Sequence, residues 1–230
     1  MRRQVVPELL DELAADDPRA IHSRGDLRRV NKLMGNADIM GRWLLGRRTP
    51  VPLSIVELGG GDGTFLLAIA RRLASTRGPA RAILVDQQSL VTPRTRAAFD
   101  ALSWTVEPVR ADVFDWLKAP SSRGADIMMA NLFLHHFPDE GLAALFREAA
   151  RQTRLFLACE PLRSRTALAA ASMMRVIGAN SVTLHDAKIS VRAGFRGHEL
   201  SALWPTGSGW QLTEGKAGRF THGFAAEVSP

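Results

Sequence analysis

Glu57 is followed by glycines at alternate positions, Gly59, Gly61 and Gly63, and Asp86 stands 23 residues beyond the last of them. Glycine carries no Cβ, so a loop with this spacing can turn sharply and bring its backbone close to a ligand. A second acid about 20 residues on, at the tip of the next strand, can accept hydrogen bonds from both hydroxyls of a ribose. The bland alternatives are a tight turn at 59–63 and a helix cap at Asp86. A dinucleotide fingerprint would need glycine three places after the second one; that place is Thr64. Three histidines are placed as proton acceptors near neutral pH: His135, His136 and His185, the last beside Asp186. Each is equally readable as a histidine with a purely structural role.

The stretch Pro52 to Phe65, PLSIVELGGGDGTF, reads as buried strand, glycine loop and helix, the opening of a doubly wound α/β domain. Its E-x-G-x-G-x-G pattern resembles the first motif of the class I S-adenosylmethionine-dependent methyltransferases. The resemblance implies that Glu57 and the backbone at Gly59, Gly61 and Gly63 hold the methionine end of S-adenosylmethionine, with S-adenosylhomocysteine as product. It also implies that Asp86 and Gln87 bind the ribose region. Asp112 would accept from the adenine amino group, with Val113 or Phe114 on the purine face. The segment from Asn131 to His136, N-x-x-L-H-H, resembles the one after the fourth strand of small-molecule methyltransferases, the quinone-biosynthesis branch included. Asn131 and Leu132 would then lie beside the methyl group to be moved.

Methyl transfer from a sulfonium is an in-line displacement, so positioning supplies much of the rate. A phenol gains from a base whose pKa lies near the working pH. Adjacent side chains in a turn do not face one point, so one of His135 and His136 is structural. His136 is the expected base by resemblance, and His185, in a presumed cap loop, is its rival. Arg24, Asn31, Met34, Glu160 and Arg192 are candidate acceptor contacts. No D/N-P-P-Y/F tetrad follows the fourth strand, and there is no Pro-Cys pair. These absences argue against methylation of base or glutamine amines and of cytosine C5. No Cys/His set has zinc spacing, so no metal is expected. The reading is O-methylation of a phenolic or polyketide-like small molecule. N- or C-methylation, RNA modification, and cofactor holding without catalysis remain open, as does a homodimer.

The chain has 230 residues, enough for one α/β domain with a lid. Net charge is +7, carried by 26 Arg and 4 Lys scattered along the chain rather than striped. That distribution reads as solvated surface, and a nucleic-acid partner is not expected. The single cysteine, Cys159, excludes a disulfide framework. No signal peptide or membrane-length apolar run is evident, so a cytoplasmic protein is expected.

The elements that must position these residues follow from hydrophobic periodicity. Helices are expected at 7–15 and at 26–47, the second capped by Asp26, as a helical cover over 1–50. A methyltransferase domain is expected over 51–230. Its strands are 53–58, 81–86, 104–112, 124–134 and 154–160, with a helix over 140–153. A cap insertion at about 162–208 holds a helix at 166–177, the loop 185–195 and a short helix at 197–203. A closing hairpin is expected at 210–214 and 219–227. The whole is a Rossmann-like seven-stranded sheet whose last strand is antiparallel. His198 and His222 are read as surface.

Overall fold

The strand β1, Leu53–Leu58, lies inside a seven-stranded sheet, third in the order β3-β2-β1-β4-β5-β7-β6. This computed structural model describes residues 1–47, 50–74, 76, 78–119, 125–207 and 209–229, with Ile177 by its backbone only. The expected boundaries at Gly124, Ser208 and Pro230 lie outside the described residues. The other strands are β2 (Ala80–Asp86), β3 (Trp104–Arg110), β4 (Ala125–Asn131), β5 (Thr153–Pro161), β6 (Trp210–Lys216) and β7 (Thr221–Val228). Neighbours from β3 to β5 pair in parallel, and β7 runs antiparallel to both β5 and β6. The antiparallel last strand agrees with the expected sheet.

Strand periodicity divides the core in two. Leu53 and Ile55 face one cluster, with Met40, Leu66, Ile69 and Phe99, while Val56 and Leu58 face the other, with Leu145, Phe146, Phe156 and Phe224. A central parallel strand is covered on both sides, which is why its apolar run is unbroken. Glu57 interrupts that run on the Leu53–Ile55 side and is 1% exposed.

Among the described residues, three helices precede β1: α1 (Leu9–Glu12), α2 (Pro18–Met34) and α3 (Asn36–Leu45). The expected 7–15 helix shrinks to one turn. The expected 26–47 helix starts earlier and breaks in the middle. Asp17 caps α2 by accepting from the Arg19 N–H, and Pro18 follows at a position that needs no donor. Gly35, at φ +69°, ends α2 in the left-handed conformation. Asp26 is therefore no cap but a buried group inside α2.

Helices α4 (Thr64–Leu73), α5 (Pro93–Asp100), α6 (Val113–Lys118) and α7 (Asp139–Gln152) join the parallel strands. Between β5 and β6 lie α8 (Arg165–Met173) and α9 (Ser181–Ala193). Residues 185–195 were expected to be loop; Asn180 caps α9 by accepting from Thr183 N–H at 2.8 Å, and the segment is helical through Ala193. The expected helix over 197–203 is only a 3-10 turn, Ser201–Leu203. No described helix is long and apolar enough to cross a membrane.

The order of the strands reverses between β1 and β4, so a crevice opens at their carboxyl ends. Gly59 shapes its floor at φ +69°; a Cβ there would meet the Phe133 ring at 2.3 Å. Gly59→Ala adds left-handed strain of about 1–2 kcal/mol to an overpacking cost of about 1–3 kcal/mol. Urea unfolding is therefore expected to show a loss of roughly 2–5 kcal/mol. An unchanged midpoint would refute the close packing of this loop on Phe133.

Candidate active site

The crevice widens into a cleft of about 810 Å³. Its floor is the glycine loop and the carboxyl ends of β1, β2 and β4. Parallel register brings Glu57 opposite Leu84 and Met129, so the strand ends stand level. Asp86 accepts from Gly61 N–H at 2.9 Å and Gln88 N–H at 2.8 Å. Asp62 accepts from Thr64 N–H and hydroxyl and pairs with Arg28 of α2 at 2.8 Å. Glu57 Oε2 has no hydrogen-bond donor among the described residues.

Burial pushes the Glu57 carboxyl well above its ordinary 4.5, and the nearby Asp62 and Asp86 carboxylates push it further. Burial also raises Asp86, against the two N–H bonds that lower it. An anion here would face three carboxylates. A cation would relieve them. This arrangement disfavours the pyrophosphate of a dinucleotide and suits an ammonium or sulfonium. Gly61, at φ +51°, has no atom within 4 Å of where its Cβ would be, so its backbone faces the open cleft.

Above the floor, the N-terminal helices and the insertion close on each other. Asp186 of α9 accepts from the N–H groups of Leu9 and Leu10 at 2.9 and 3.0 Å. Asp26 of α2 accepts from Asn180 N–H and the Thr183 hydroxyl. A chain of amides ties this roof to the sheet. Asn131 at the end of β4 donates to Asn31 at 2.9 Å and accepts from Asn36 at 2.8 Å, and Asn36 accepts from the Thr221 hydroxyl. The outer half of the cleft is apolar, with Val30, Leu33, Met34, Ala171, Met174 and Phe220 along it.

The two histidines after β4 sit between these halves. Glu160, fully buried at the end of β5, accepts from the N–H groups of Phe133 and Leu134 at 3.0 and 2.9 Å. It also engages His135 Nδ1 at 2.7 Å, and His135 Nε2 lies 3.3 Å from Glu8 Oε1. Burial lowers the His135 pKa, but the bonds to Glu160 and Glu8 outweigh it and raise it to about 9. His136 is partly open, and its Nδ1 lies 3.1 Å from Asp11 Oδ2. Both rings line the cleft, 4.4 Å apart, so the expectation that these adjacent side chains face different ways does not hold.

Of the residues expected from sequence, Glu57, Gly59, Gly61, Asp86, Gln87, Val113, Asn131, Leu132, Arg24, Asn31, Met34, His135 and His136 line this one cleft. Gly63 starts α4 behind the loop. Asp112 lies off the cleft; it caps α6 by accepting from Phe114 and Asp115 N–H and also accepts from Gln87. His185 is corrected: α9 turns its side chain outward, half exposed beside Asp186 at 3.1 Å. Arg192 is exposed and off the cleft. Glu160 reaches no acceptor, because every bond it makes holds the turn at 133–135. His222 is buried rather than surface, 2.7 Å from Glu214. Glu8 and Asp11 escaped the sequence reading. Glu8 is 127 residues from His135, and no local pattern marks it.

Residues 55–154 match the family model described as a methyltransferase domain. No curated protein matches the chain closely enough in sequence to count as a relative. Solved structures share the fold. The plantazolicin methyltransferase BpumL, in complex with a pentazolic desmethylPZN analogue and SAH, is 11% identical with a TM-score of 0.66, over 93% of this chain and 92% of that one. An O-methyltransferase family protein from Burkholderia thailandensis is 19% identical with a TM-score of 0.58, over 94% and 61%. The mitomycin 7-O-methyltransferase MmcR is 18% identical with a TM-score of 0.55, over 96% and 60%. The chain spans about three fifths of the length of these last two. Residues 55–154 are thus a methyltransferase domain, set in the seven-stranded sheet of the class I, S-adenosylmethionine-dependent type.

Proposed function

We propose that this protein O-methylates an apolar, aromatic small molecule, with His136 beside the acceptor oxygen. The observation that carries the reading is a cleft with two unlike ends, one acidic and glycine-lined, one apolar, and histidines between them. Its volume of about 810 Å³ is in the upper half of the 300–1,000 Å³ usual for small-molecule sites, with room for a cofactor and an acceptor together. Neighbours named as O-methyltransferases support oxygen as the methylated atom.

The residues fit S-adenosylmethionine. Glu57 has an unpartnered buried oxygen for the ammonium end. The free lone pairs of Asp86 suit the ribose hydroxyls, and Val113 gives an apolar contact for the purine. When bound, the cofactor supplies an electrophilic methyl carbon on a sulfonium and leaves as neutral S-adenosylhomocysteine. The His136 ring would take the proton of the acceptor hydroxyl, leaving an oxygen lone pair free for the methyl carbon. Asp11 orients that ring and stabilises the imidazolium that forms. The N-terminal helices α1, α2 and α3 and the insertion helices α8 and α9 act together as the roof that keeps water from the reacting atoms.

The direct test is transfer of labelled methyl from S-adenosylmethionine to a panel of phenolic and polyketide-like acceptors. Label in RNA but in no small molecule would overturn the reading. His136→Ala is expected to lower kcat about 10²–10⁴-fold while cofactor affinity holds; full turnover would remove His136 from the chemistry.

Glu57 adds a proton-linked signature. Its carboxyl is protonated above the usual range when no cation is present, and a bound ammonium restores the carboxylate. Binding therefore expels a proton between the two pKa values, and affinity rises with pH until the free-state value is passed. Calorimetry in buffers of different ionisation enthalpy should detect this release in the native protein and none in Glu57→Gln. Equal proton counts in both would contradict the assignment. Gly61→Ala costs only left-handed strain of about 1–2 kcal/mol, but its methyl group enters the cofactor space. Cofactor affinity is expected to fall at least about tenfold, a difference of roughly 1.4 kcal/mol; native affinity would place the ligand elsewhere.

A further inference from the structure

We infer that Glu8, His135 and His136 form a site for one divalent transition cation of the zinc class, with an open coordination position toward the acceptor half of the cleft. Each of the three residues brings a ligand atom within 4.8 Å of the others. Glu8 and His135 are buried, and all three line the cleft. His135 Nε2 and Glu8 Oε1 lie 3.3 Å apart. That is the edge of a tetrahedron with metal–ligand bonds of about 2.0–2.1 Å. His136 lies on the more open side, its side chain 24% exposed.

The surroundings are those of a prepared ligand set. Metal-bound histidines ordinarily hand their second ring nitrogen to a carboxylate, which fixes the tautomer and strengthens the donor. Here both rings have such a carboxylate on Nδ1: Glu160 on His135 at 2.7 Å and Asp11 on His136 at 3.1 Å. Glu160 is itself held in place by the N–H groups of Phe133 and Leu134. With Nδ1 of each ring so engaged, Nε2 is the nitrogen that would turn to a cation; on His135 it faces Glu8, whose Oε1 also accepts from the Ser190 hydroxyl, so a cation takes the place of the proton between His135 and Glu8. Two imidazoles with one carboxylate favour a cation of the zinc class over calcium or magnesium, which prefer oxygen alone. Three protein ligands leave a fourth position free, the pattern of a catalytic rather than a structural site. Spacing along the chain could not reveal the set, because Glu8 comes from the N-terminal segment.

The cation's role, though not its binding, rests on the methyl-transfer reading. A hydroxyl bound at the open position loses its proton more readily, and the released proton passes to solvent. His136 would then act as ligand rather than base.

The full chain, without a histidine tag, is stripped with chelator and titrated with Zn²⁺ by calorimetry and with Co²⁺ by visible absorption. One equivalent is expected, with cobalt bands of a low-coordinate nitrogen and oxygen site. Glu8→Gln and His136→Ala should each weaken binding at least tenfold, and His185→Ala, a histidine outside the cluster, should not. His136→Ala is partly exposed, and its fold is checked by circular dichroism. No stoichiometric binding, or equal affinity in all variants, overturns the site. Methyl transfer lost on stripping and restored by Zn²⁺ supports the catalytic role. Undiminished transfer by demonstrably stripped protein overturns that role and leaves the methyl-transfer reading standing.

Discussion

The structure turns on a carboxylate buried where its sheet cannot satisfy it. Glu57 stands one residue before the end of β1, is buried on the Leu53–Ile55 face and has an oxygen with no donor among the described residues. Ionising it without a partner is costly. Asp62 and Asp86 stand close by, so no neighbour relieves it and two make it worse. The glycine loop adds no side chain that would shield the group. A floor built this way is poised for a cation brought by a ligand. Arg28, the cation of α2 at this floor, is engaged with Asp62.

The second constraint lies across the cleft. Glu160 gathers the N–H groups of the turn after β4 and one face of His135, and His135 reaches Glu8. Through Glu8 the N-terminal segment joins the same network, and through Asp186 it joins α9. Asp26 then bonds α2 to the start of α9. Two segments more than 150 residues apart in sequence thus act as one roof. The roof is fastened by polar bonds and lined by apolar side chains. That combination gives a defined geometry above a surface that still accepts varied hydrophobic shapes.

Much of the floor was legible in the sequence, and the reason is local. Strand parity, the glycines at 59, 61 and 63 and the acid at 86 all report on residues within one strand-loop-helix unit or its neighbour. The central strands were legible because burial on both faces leaves only apolar residues. The roof was not. The stretch 185–195 mixes Lys188 and Arg192 with Ile189 and Val191, so its helical stripe is faint, and the Asn180 cap lies upstream of it. His222 looked exposed because it follows Thr221 and precedes Gly223; its burial depends on Glu214 across the hairpin. Glu160 looked like an acceptor contact because it stands at the carboxyl edge of the sheet. Only the turn packed against it shows that its oxygens are already engaged. Glu8 belongs to the site solely through long-range contact.

Charge separates the surface from the site. The chain carries a net +7, yet Glu57, Asp62 and Asp86 meet at the cleft floor and Glu8, Asp11 and Asp186 along its roof. A polyanion drawn to the basic exterior would meet six carboxylates along the cleft, with Arg24 and Arg28 beside them. Its phosphates would lose their counterions at the surface and face repulsion within. A neutral apolar acceptor has no such conflict, and a cationic cofactor gains from the acidic floor. The arginine-rich exterior therefore says little about the ligand. The six acids that line the interior are the better guide to what the cleft holds.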